Sequence, residues 1–181
     1  IDKLADCDLV IEAVFENVDL KLRIFADLDR IVKPEAILAS NTSSISITRL
    51  AAGTQRPGQV IGMHFFNPAP VMALVEIVSG LATDPAVATT LYDTAKAWGK
   101  VPVRASSTPG FIVNRVARPY YAEALRILAE RAATPATLAI VMTSTSRCPT
   151  CDSSWLSTPS SSSSSRRRRM PVVTQTTERF G

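Results

Sequence analysis

The stretch VIGMHFFNPAPVMALVEIVSG, residues 60–80, contains two apolar runs separated by a proline-rich turn. Short apolar runs bounded by turn residues are typical of buried β-strands, so both runs are predicted strands. A turn at residues 67–70 could bring the second strand back beside the first. His64, the only histidine in the chain, could then contact Glu76, a carboxylate that would be costly to bury without a partner.

Around this stretch, strand-like and helix-like segments alternate over about the first 105 residues. The predicted strands span residues 8–14, 36–40, 60–66, 74–80 and 101–106. The predicted helices span residues 20–31, 46–52 and 84–99. Strand–helix–strand units in series indicate an α/β fold, with a mostly parallel sheet covered by helices and right-handed crossovers.

Two of these helices have a predicted inner stripe and clear end signals. The first stripe consists of Leu20, Ile24, Leu28 and Ile31. The second stripe consists of Val87, Leu91, Ala95 and Trp98. Pro34 ends the first helix, while Asp84 and Gly99 suit the two ends of the last one. A continuous helical pattern over residues 111–132 then predicts the start of an all-α region.

Residues 143–181 have a different composition, because 18 of these 39 residues are Ser or Thr. The segment includes Ser160–Ser165 followed directly by Arg166–Arg169. It can bury too little apolar surface to offset the entropy of ordering, so it is expected to be disordered. An RNA-binding or phosphorylated tail is one alternative, and an aberrant or frameshifted end is another. The CPTC spacing at 148–151 lacks a second pair or a nearby histidine, so no metal site is predicted.

The formal charge of +4 comes entirely from this tail. Residues 1–142 carry 14 Lys+Arg and 14 Asp+Glu, whereas residues 143–181 carry six Arg against two acidic residues. The predicted folded part therefore has no charge signature for nucleic acid. No apolar run approaches the ~20 residues needed to cross a bilayer, so no membrane partner is expected. The three cysteines form no disulfide framework, which favours a reducing, cytoplasmic compartment.

Polar side chains follow the first three predicted strands. FEN (15–17) follows the first strand, NTSS (41–44) the second, and HFFNP (64–68) ends the third. Because open α/β sheets bind ligands at the carboxyl ends of their strands, we expect these groups to meet at one edge of the sheet.

Taken singly, each of these residues also has a structural interpretation. A lone histidine near a strand end is usually structural. Ser43 suits a turn or a helix cap, and Asn67 suits an Asn-Pro turn. Glu16 and Lys21 fit a solvated helix face, and Asn114 an ordinary polar position on a helix.

Four longer motifs add a family resemblance. VIEAVFENVDLK (10–21), ILASNTSSISIT (37–48), GMHFFNPAPVMALVEIV (62–78) and TPGFIVNRVARPYYAEALRI (108–127) closely resemble 3-hydroxyacyl-CoA dehydrogenases, including the 3-hydroxybutyryl-CoA type. The resemblance covers about residues 6–142 with the motifs in order, and residues 143–181 do not share it.

The resemblance implies oxidation of the 3-hydroxyl of an acyl-CoA by hydride transfer to NAD, and the reverse reduction, as in fatty acid β-oxidation. The implied catalytic residues are His64, Glu76, Ser43 and Asn114. The implied cofactor-binding residues are Glu16, Lys21, Ser43 and Asn67. The imidazole would accept the hydroxyl proton while the carboxylate orients it. An acyl-CoA substrate and a homodimeric parent enzyme are also implied.

The sequence departs from the family's pattern in one important respect. The GxGxxG turn that holds the NAD pyrophosphate does not occur in it, so an N-terminally truncated fragment is expected. We expect the second half of a Rossmann-type dinucleotide-binding domain at 1–108, the start of an all-α domain at 109–142, and the tail. Activity of this chain alone is expected to be doubtful. A non-catalytic fragment or partner-binding relic of such an enzyme is the alternative function.

Overall fold

The computed structural model describes residues 2–145, which form two compact units, the first ending at Arg115 and the second beginning at Val116. The strands are β1 (Leu9–Glu12), β2 (Ile37–Ser40), β3 (Val60–Phe65), β4 (Leu74–Ser79) and β5 (Val101–Ser106). The α-helices are α1 (Val18–Ile31), α2 (Ile47–Ala51), α3 (Pro85–Ala97), α4 (Val113–Ala129) and α5 (Pro135–Thr145). Short 3-10 turns occupy Asp2–Leu4 and Pro57–Gln59.

The five strands described form one sheet in the order β1-β2-β3-β4-β5. Three of the neighbouring pairs are parallel, and only β3 and β4 run antiparallel. Residues 66–73 join β3 to β4, and this connection is too short for the crossover that parallel neighbours require. The predicted α/β class and mostly parallel sheet are confirmed.

Apolar side chains cover both faces of the sheet. On one face, α1 and α2 bury Phe25 and Ile47 against the sheet residues Val60 and Val78. On the other face, α3 buries a second cluster against β3 and β4. Its fully buried members include Ile61, Met63, Val75, Ile77 and Leu91. Each such side chain contributes about 1.5–3 kcal/mol of transfer free energy. Burial on both faces explains why the central strands are apolar without alternation.

The buried face of α1 differs from its predicted stripe. Lys21, Phe25 and Leu28 are its buried residues, whereas Leu20 and Ile24 are only half-buried. The prediction placed Leu20 and Ile24 inside, one residue before the buried Lys21 and Phe25, because hydrophobic periodicity treats a lysine as polar. In the structure, Lys21 is buried because it forms an ion pair with a buried carboxylate, which is described below.

Helix α3 follows its end signals closely. The side chain of Asp84 accepts a hydrogen bond from the backbone N–H of Ala86, and Gly99 adopts a left-handed φ of 75° after the last turn. Val87, Leu91 and Ala95 are buried as predicted. The prediction was wrong for Trp98, which is 37% exposed because it lies beyond the helix, at its C-cap.

The second unit contains most of α4 and all of α5. The predicted helix from Phe111 to about Ala132 is confirmed as α4, which ends three residues earlier, at Ala129, and Arg131 adopts a left-handed φ of 58°. Helix α5 was not predicted. Within the described part of the chain, no helix is both long and apolar enough to cross a bilayer. The Ser/Thr-rich tail from residue 146 onward, including CPTC and the serine–arginine run, lies outside the described residues.

Candidate active site

His64 and Glu76 face each other across the antiparallel pair of β3 and β4. The register places the two residues directly opposite, and Nδ1 of His64 lies 2.7 Å from Oε2 of Glu76. Both side chains are buried, at 5% and 0% exposure. The direct contact predicted from the sequence is confirmed.

The second oxygen of the Glu76 carboxylate binds the start of α4. Oε1 accepts hydrogen bonds from the backbone N–H groups of Ile112 (2.9 Å) and Val113 (3.0 Å). Helix N-termini leave such amides without intrahelical partners and carry a partial positive charge. Both carboxylate oxygens therefore have hydrogen-bond partners although the group is fully buried.

Ser43 completes a chain of three side chains. Its Oγ lies 3.1 Å from Nε2 of His64. A carboxylate can only accept, so Nδ1 carries the proton and Nε2 is left as an acceptor for the serine hydroxyl. The rings of Phe66 and Phe111 lie 4.6 and 5.7 Å from the imidazole, centroid to centroid. The arrangement can take a proton at Nε2 and stabilise the resulting imidazolium.

Glu16 holds the turn that carries Ser43. Its Oε1 accepts hydrogen bonds from the side chains of Thr42 (2.5 Å) and Ser44 (2.9 Å) and from the backbone N–H groups of Ser43 and Ser44. Burial alone would raise the pKa of Glu16, but the hydrogen bonds outweigh it and hold this pKa below its ordinary value. The glutamate that follows β1 thereby positions the serine that follows β2.

A buried ion pair lies behind this turn. Nζ of Lys21 contacts both oxygens of Glu12, at 2.7 and 2.9 Å, and the carbonyl of Val14 at 3.1 Å. It also lies 3.7 Å from Oε2 of Glu16. The lysine side chain is 1% exposed, so the solvated-face interpretation was wrong for Lys21. Its position lets two carboxylates approach the same edge of the sheet.

Glu12 is absent from the sequence-based predictions. The signal that pointed to Glu76, a carboxylate inside an apolar strand, is equally present at Glu12 in VIEAV. Asn41 was also missed, and its side-chain oxygen accepts a hydrogen bond from the backbone N–H of Phe65 at 2.8 Å. Through Asn41, the turn after β2 is tied to the end of β3, next to His64.

The structure brings Asn67 and Asn114 to the same unit but not into this network. Asn67 is exposed three residues after His64, and Asn114 is half-buried on the first turn of α4. Among the described residues, neither side chain is hydrogen-bonded to His64, Glu76 or Ser43.

The exposed polar groups at this edge suit one end of a dinucleotide. Ser43 and Asn67 are exposed, and the Glu16 side chain is 38% exposed. A carboxylate accepts hydrogen bonds from ribose hydroxyls, and a carboxamide side chain can pair with the carboxamide of nicotinamide. The donor and acceptor set therefore fits the nicotinamide-ribose end of NAD, at the carboxyl ends of parallel strands.

Comparison with protein families gives two matches in chain order. Residues 1–108 match the family profile described as 3-hydroxyacyl-CoA dehydrogenase, NAD binding domain. Residues 110–150 match the profile described as 3-hydroxyacyl-CoA dehydrogenase, C-terminal domain, and this match extends eight residues beyond the predicted end of the resemblance at residue 142.

Two curated relatives illustrate the similarity. The 3-hydroxyadipyl-CoA dehydrogenase of Escherichia coli K12 is 57% identical over 135 residues, which are 75% of this chain and 28% of the relative. The 3-hydroxybutyryl-CoA dehydrogenase of Clostridioides difficile is 48% identical over 129 residues, which are 71% of this chain and 46% of the relative. The chain therefore spans less than half the length of either relative.

Solved structures agree with the sequence comparison. The crystal structure of 3-hydroxybutyryl-CoA dehydrogenase from Escherichia coli K12 matches with a TM-score of 0.73 at 57% identity, covering 75% of this chain and 29% of that one. The (S)-3-hydroxybutyryl-CoA dehydrogenase of Ralstonia eutropha matches with the same TM-score at 49% identity, covering 75% and 48%.

Proposed function

Because this chain belongs to the 3-hydroxyacyl-CoA dehydrogenase family, we propose that it carries the catalytic base of an enzyme that interconverts 3-hydroxyacyl-CoA and 3-ketoacyl-CoA with NAD. The observation that supports this most directly is the hydrogen-bonded chain Ser43–His64–Glu76. It lies at the carboxyl end of β3, where an open α/β sheet binds its ligands.

In the proposed oxidation, Nε2 of His64 accepts the proton of the substrate's 3-hydroxyl while the C3–H bond gives up its hydride. Bound NAD supplies the hydride-accepting chemistry. The Ser43 hydroxyl, which now bonds Nε2, is placed to bond the substrate oxygen as the ketone forms. In the reverse direction the imidazolium returns the proton.

Glu76 orients and stabilises the imidazole but does not take its proton. Two backbone amides at the start of α4 bind its other oxygen, so the carboxylate is held beside Nδ1 when His64 becomes cationic. This is the role that a buried carboxylate plays beside a catalytic histidine in other acid–base sites.

The other site residues have two kinds of proposed role. We assign Glu16, Ser43 and Asn67 to direct contact with the cofactor, since all three have exposed polar groups at the edge. Lys21 supports the same site indirectly, because its ammonium group is enclosed by Glu12, Glu16 and a carbonyl. Asn114 is assigned to the substrate.

The wider assignment follows the family. We propose an acyl-CoA substrate, a role in β-oxidation or related acyl-CoA metabolism, a homodimeric assembly and a cytoplasmic location. The buried free thiol of Cys7 is consistent with a reducing compartment. The domain division at residues 108 and 109 is likewise proposed, and the ranges of the two family matches support it.

A graft tests the catalytic assignment. The matched residues of this chain replace their counterparts in the Escherichia coli relative, and NADH formation from 3-hydroxybutyryl-CoA and 3-hydroxyadipyl-CoA is followed by absorbance. Turnover that is lost in His64→Gln but kept in the surface control Lys96→Gln supports the proposal. Turnover that is indifferent to His64→Gln would remove this histidine from the mechanism.

A further inference from the structure

Phe111 has a backbone conformation that its residue type does not favour. Gly110 and Phe111 adopt left-handed φ values of 75° and 48° in succession, and α4 begins two residues after Phe111, at Val113. A glycine takes this conformation freely, but a bulky aromatic residue is strained there. Arg131 also has a positive φ, but it follows the end of a helix, where that conformation is a common cap.

The left-handed pair has a visible consequence at Glu76. The next two backbone N–H groups, of Ile112 and Val113, converge on one carboxylate oxygen at 2.9 and 3.0 Å. Successive amides in such a turn form a concave donor site for an anion. With an ordinary φ at Phe111, these amides would point elsewhere, and a fully buried carboxylate oxygen would lose both donors.

The side chain of Phe111 also lies beside the imidazole of His64, the partner of Glu76 in what we call the His64–Glu76 dyad. Phe111 is 3% exposed, and its ring centroid lies 5.7 Å from that of the His64 imidazole, with an angle of 67° between the ring planes. Together with Phe66, Phe111 forms part of the aromatic surroundings of the imidazole. A glycine at position 111 would relieve the strain but remove this ring from beside the imidazole.

We propose that Phe111 is a positioning residue: its left-handed backbone directs two amides onto Glu76, and its ring shields the His64–Glu76 hydrogen bond from solvent. The proposal rests on the proposed role of His64 as the base. Backbone strain of this kind persists where surrounding structure over-determines it, and it concentrates at functional sites.

The test uses the fact that the chain contains one histidine. The chain is made without a histidine tag, with ¹⁵N in the ring, and long-range ¹H–¹⁵N spectra report which ring nitrogen carries the proton. Exchange of the Nδ1 proton with water, and of the Ile112 and Val113 amides, is measured in the same samples. Substrate and cofactor are absent.

Phe111→Gly separates the two parts of the proposal, because glycine keeps the left-handed φ and removes the ring. We expect the proton to stay on Nδ1 and the two amides to stay protected, while the Nδ1 proton exchanges with water at least about tenfold faster. Phe111→Val, whose branched side chain disfavours this φ, should lose the amide protection as well. Phe66→Ala, which removes the other neighbouring ring, should leave the two amides protected.

Either of two results with Phe111→Gly overturns the proposal, even if Phe111→Val does not fold. Loss of amide protection would show that the ring, rather than the backbone conformation, directs the amides. Unchanged exchange of the Nδ1 proton would show that the ring shields nothing. Turnover of the graft that is indifferent to His64→Gln, combined with the expected spectra, would refute the catalytic role of His64 and leave the role of Phe111 intact.

Discussion

The carboxylate of Glu76 lies 2.7 Å from Nδ1 of His64 because the two residues are paired across antiparallel strands. Side chains alternate between the faces of a strand, so a register shift of one residue would move Glu76 to the opposite face of the sheet from His64. Residues 66–73, which connect the two strands, therefore influence the chemistry without belonging to the dyad. Their length and turns help to set the register that creates the contact.

Glu76→Gln should abolish most turnover in the graft described above. The glutamine amide can donate to Nδ1, which forces the ring proton onto Nε2, the atom that must accept the substrate proton. We expect kcat to fall by about 100- to 10,000-fold, the range typical of a lost general base. Initial-rate measurements of NADH formation check this, with thermal melting to verify folding. Glu35→Gln, at an exposed position, is the matched control, and equal loss in both variants would contradict the prediction.

Glu16 should make stability depend on pH in the acidic range. Its pKa is lowered in the folded chain, so the folded state favours the ionised carboxylate, and the stabilisation is present above the unfolded-state pKa. It is lost as the pH falls from about the ordinary value of 4.5 through the lower folded-state pKa. The stability difference between the parent chain and Glu16→Gln should therefore be largest near neutral pH and shrink on acidification.

Urea unfolding at several pH values between 7 and the acid range checks this dependence. The same measurements on Glu35→Gln serve as the control. They distinguish the effect of losing the hydrogen bonds to the turn at residues 42–44 from the effect of losing a carboxylate charge in general. A stability difference for Glu16→Gln that grows on acidification would have the wrong sign.

Breaking the buried pair of Glu12 and Lys21 should destabilise the first unit strongly. Their side chains are 2% and 1% exposed, so either single change, Glu12→Gln or Lys21→Met, leaves a buried charge without its partner. Each should cost about 3–5 kcal/mol, while the double variant should cost less than the sum. Urea unfolding of the four chains measures the coupling. Lys33→Met, which breaks an exposed pair with Asp8, should have a much smaller effect. If the costs of the two single changes simply add in the double variant, the coupling between Glu12 and Lys21 is refuted.

Gly62→Ala should destabilise the sheet by overpacking. A Cβ at this position would lie 2.8 Å from Cβ of Val78 on β4 and 2.9 Å from Cδ1 of Ile47 on α2, so β3 and β4 must shift relative to each other and Ile47 must move. The expected cost is about 1–3 kcal/mol. Gly58→Ala is the control, because its Cβ would have no neighbour closer than 3.6 Å. Similar urea midpoints for the two variants would contradict this prediction, because they would show that Val78 and Ile47 move to accommodate the added methyl group without a loss of stability.

The sequence alone was sufficient for the features that depend on neighbouring residues. The apolar runs predicted the strands, the caps at Asp84 and Gly99 predicted the ends of α3, and the motifs around His64 and Glu76 identified the family. The sequence was not sufficient where the position or the end of an element depends on contacts with distant residues. The helix predicted to residue 132 stops at Ala129, and Lys21 lies inside although its periodicity looks polar.

Only the tertiary structure decided which polar groups became partners. Three such partnerships join segments that lie between 9 and 37 residues apart. They are Glu12 with Lys21, Glu16 with the turn at 42–44, and Glu76 with the amides that follow Phe111. Helix and strand signals act over a few residues along the chain, so they can be recognised in the sequence itself. A buried charge instead needs a partner that strand order and register deliver from a distant segment, and those are set by the packing of the whole sheet.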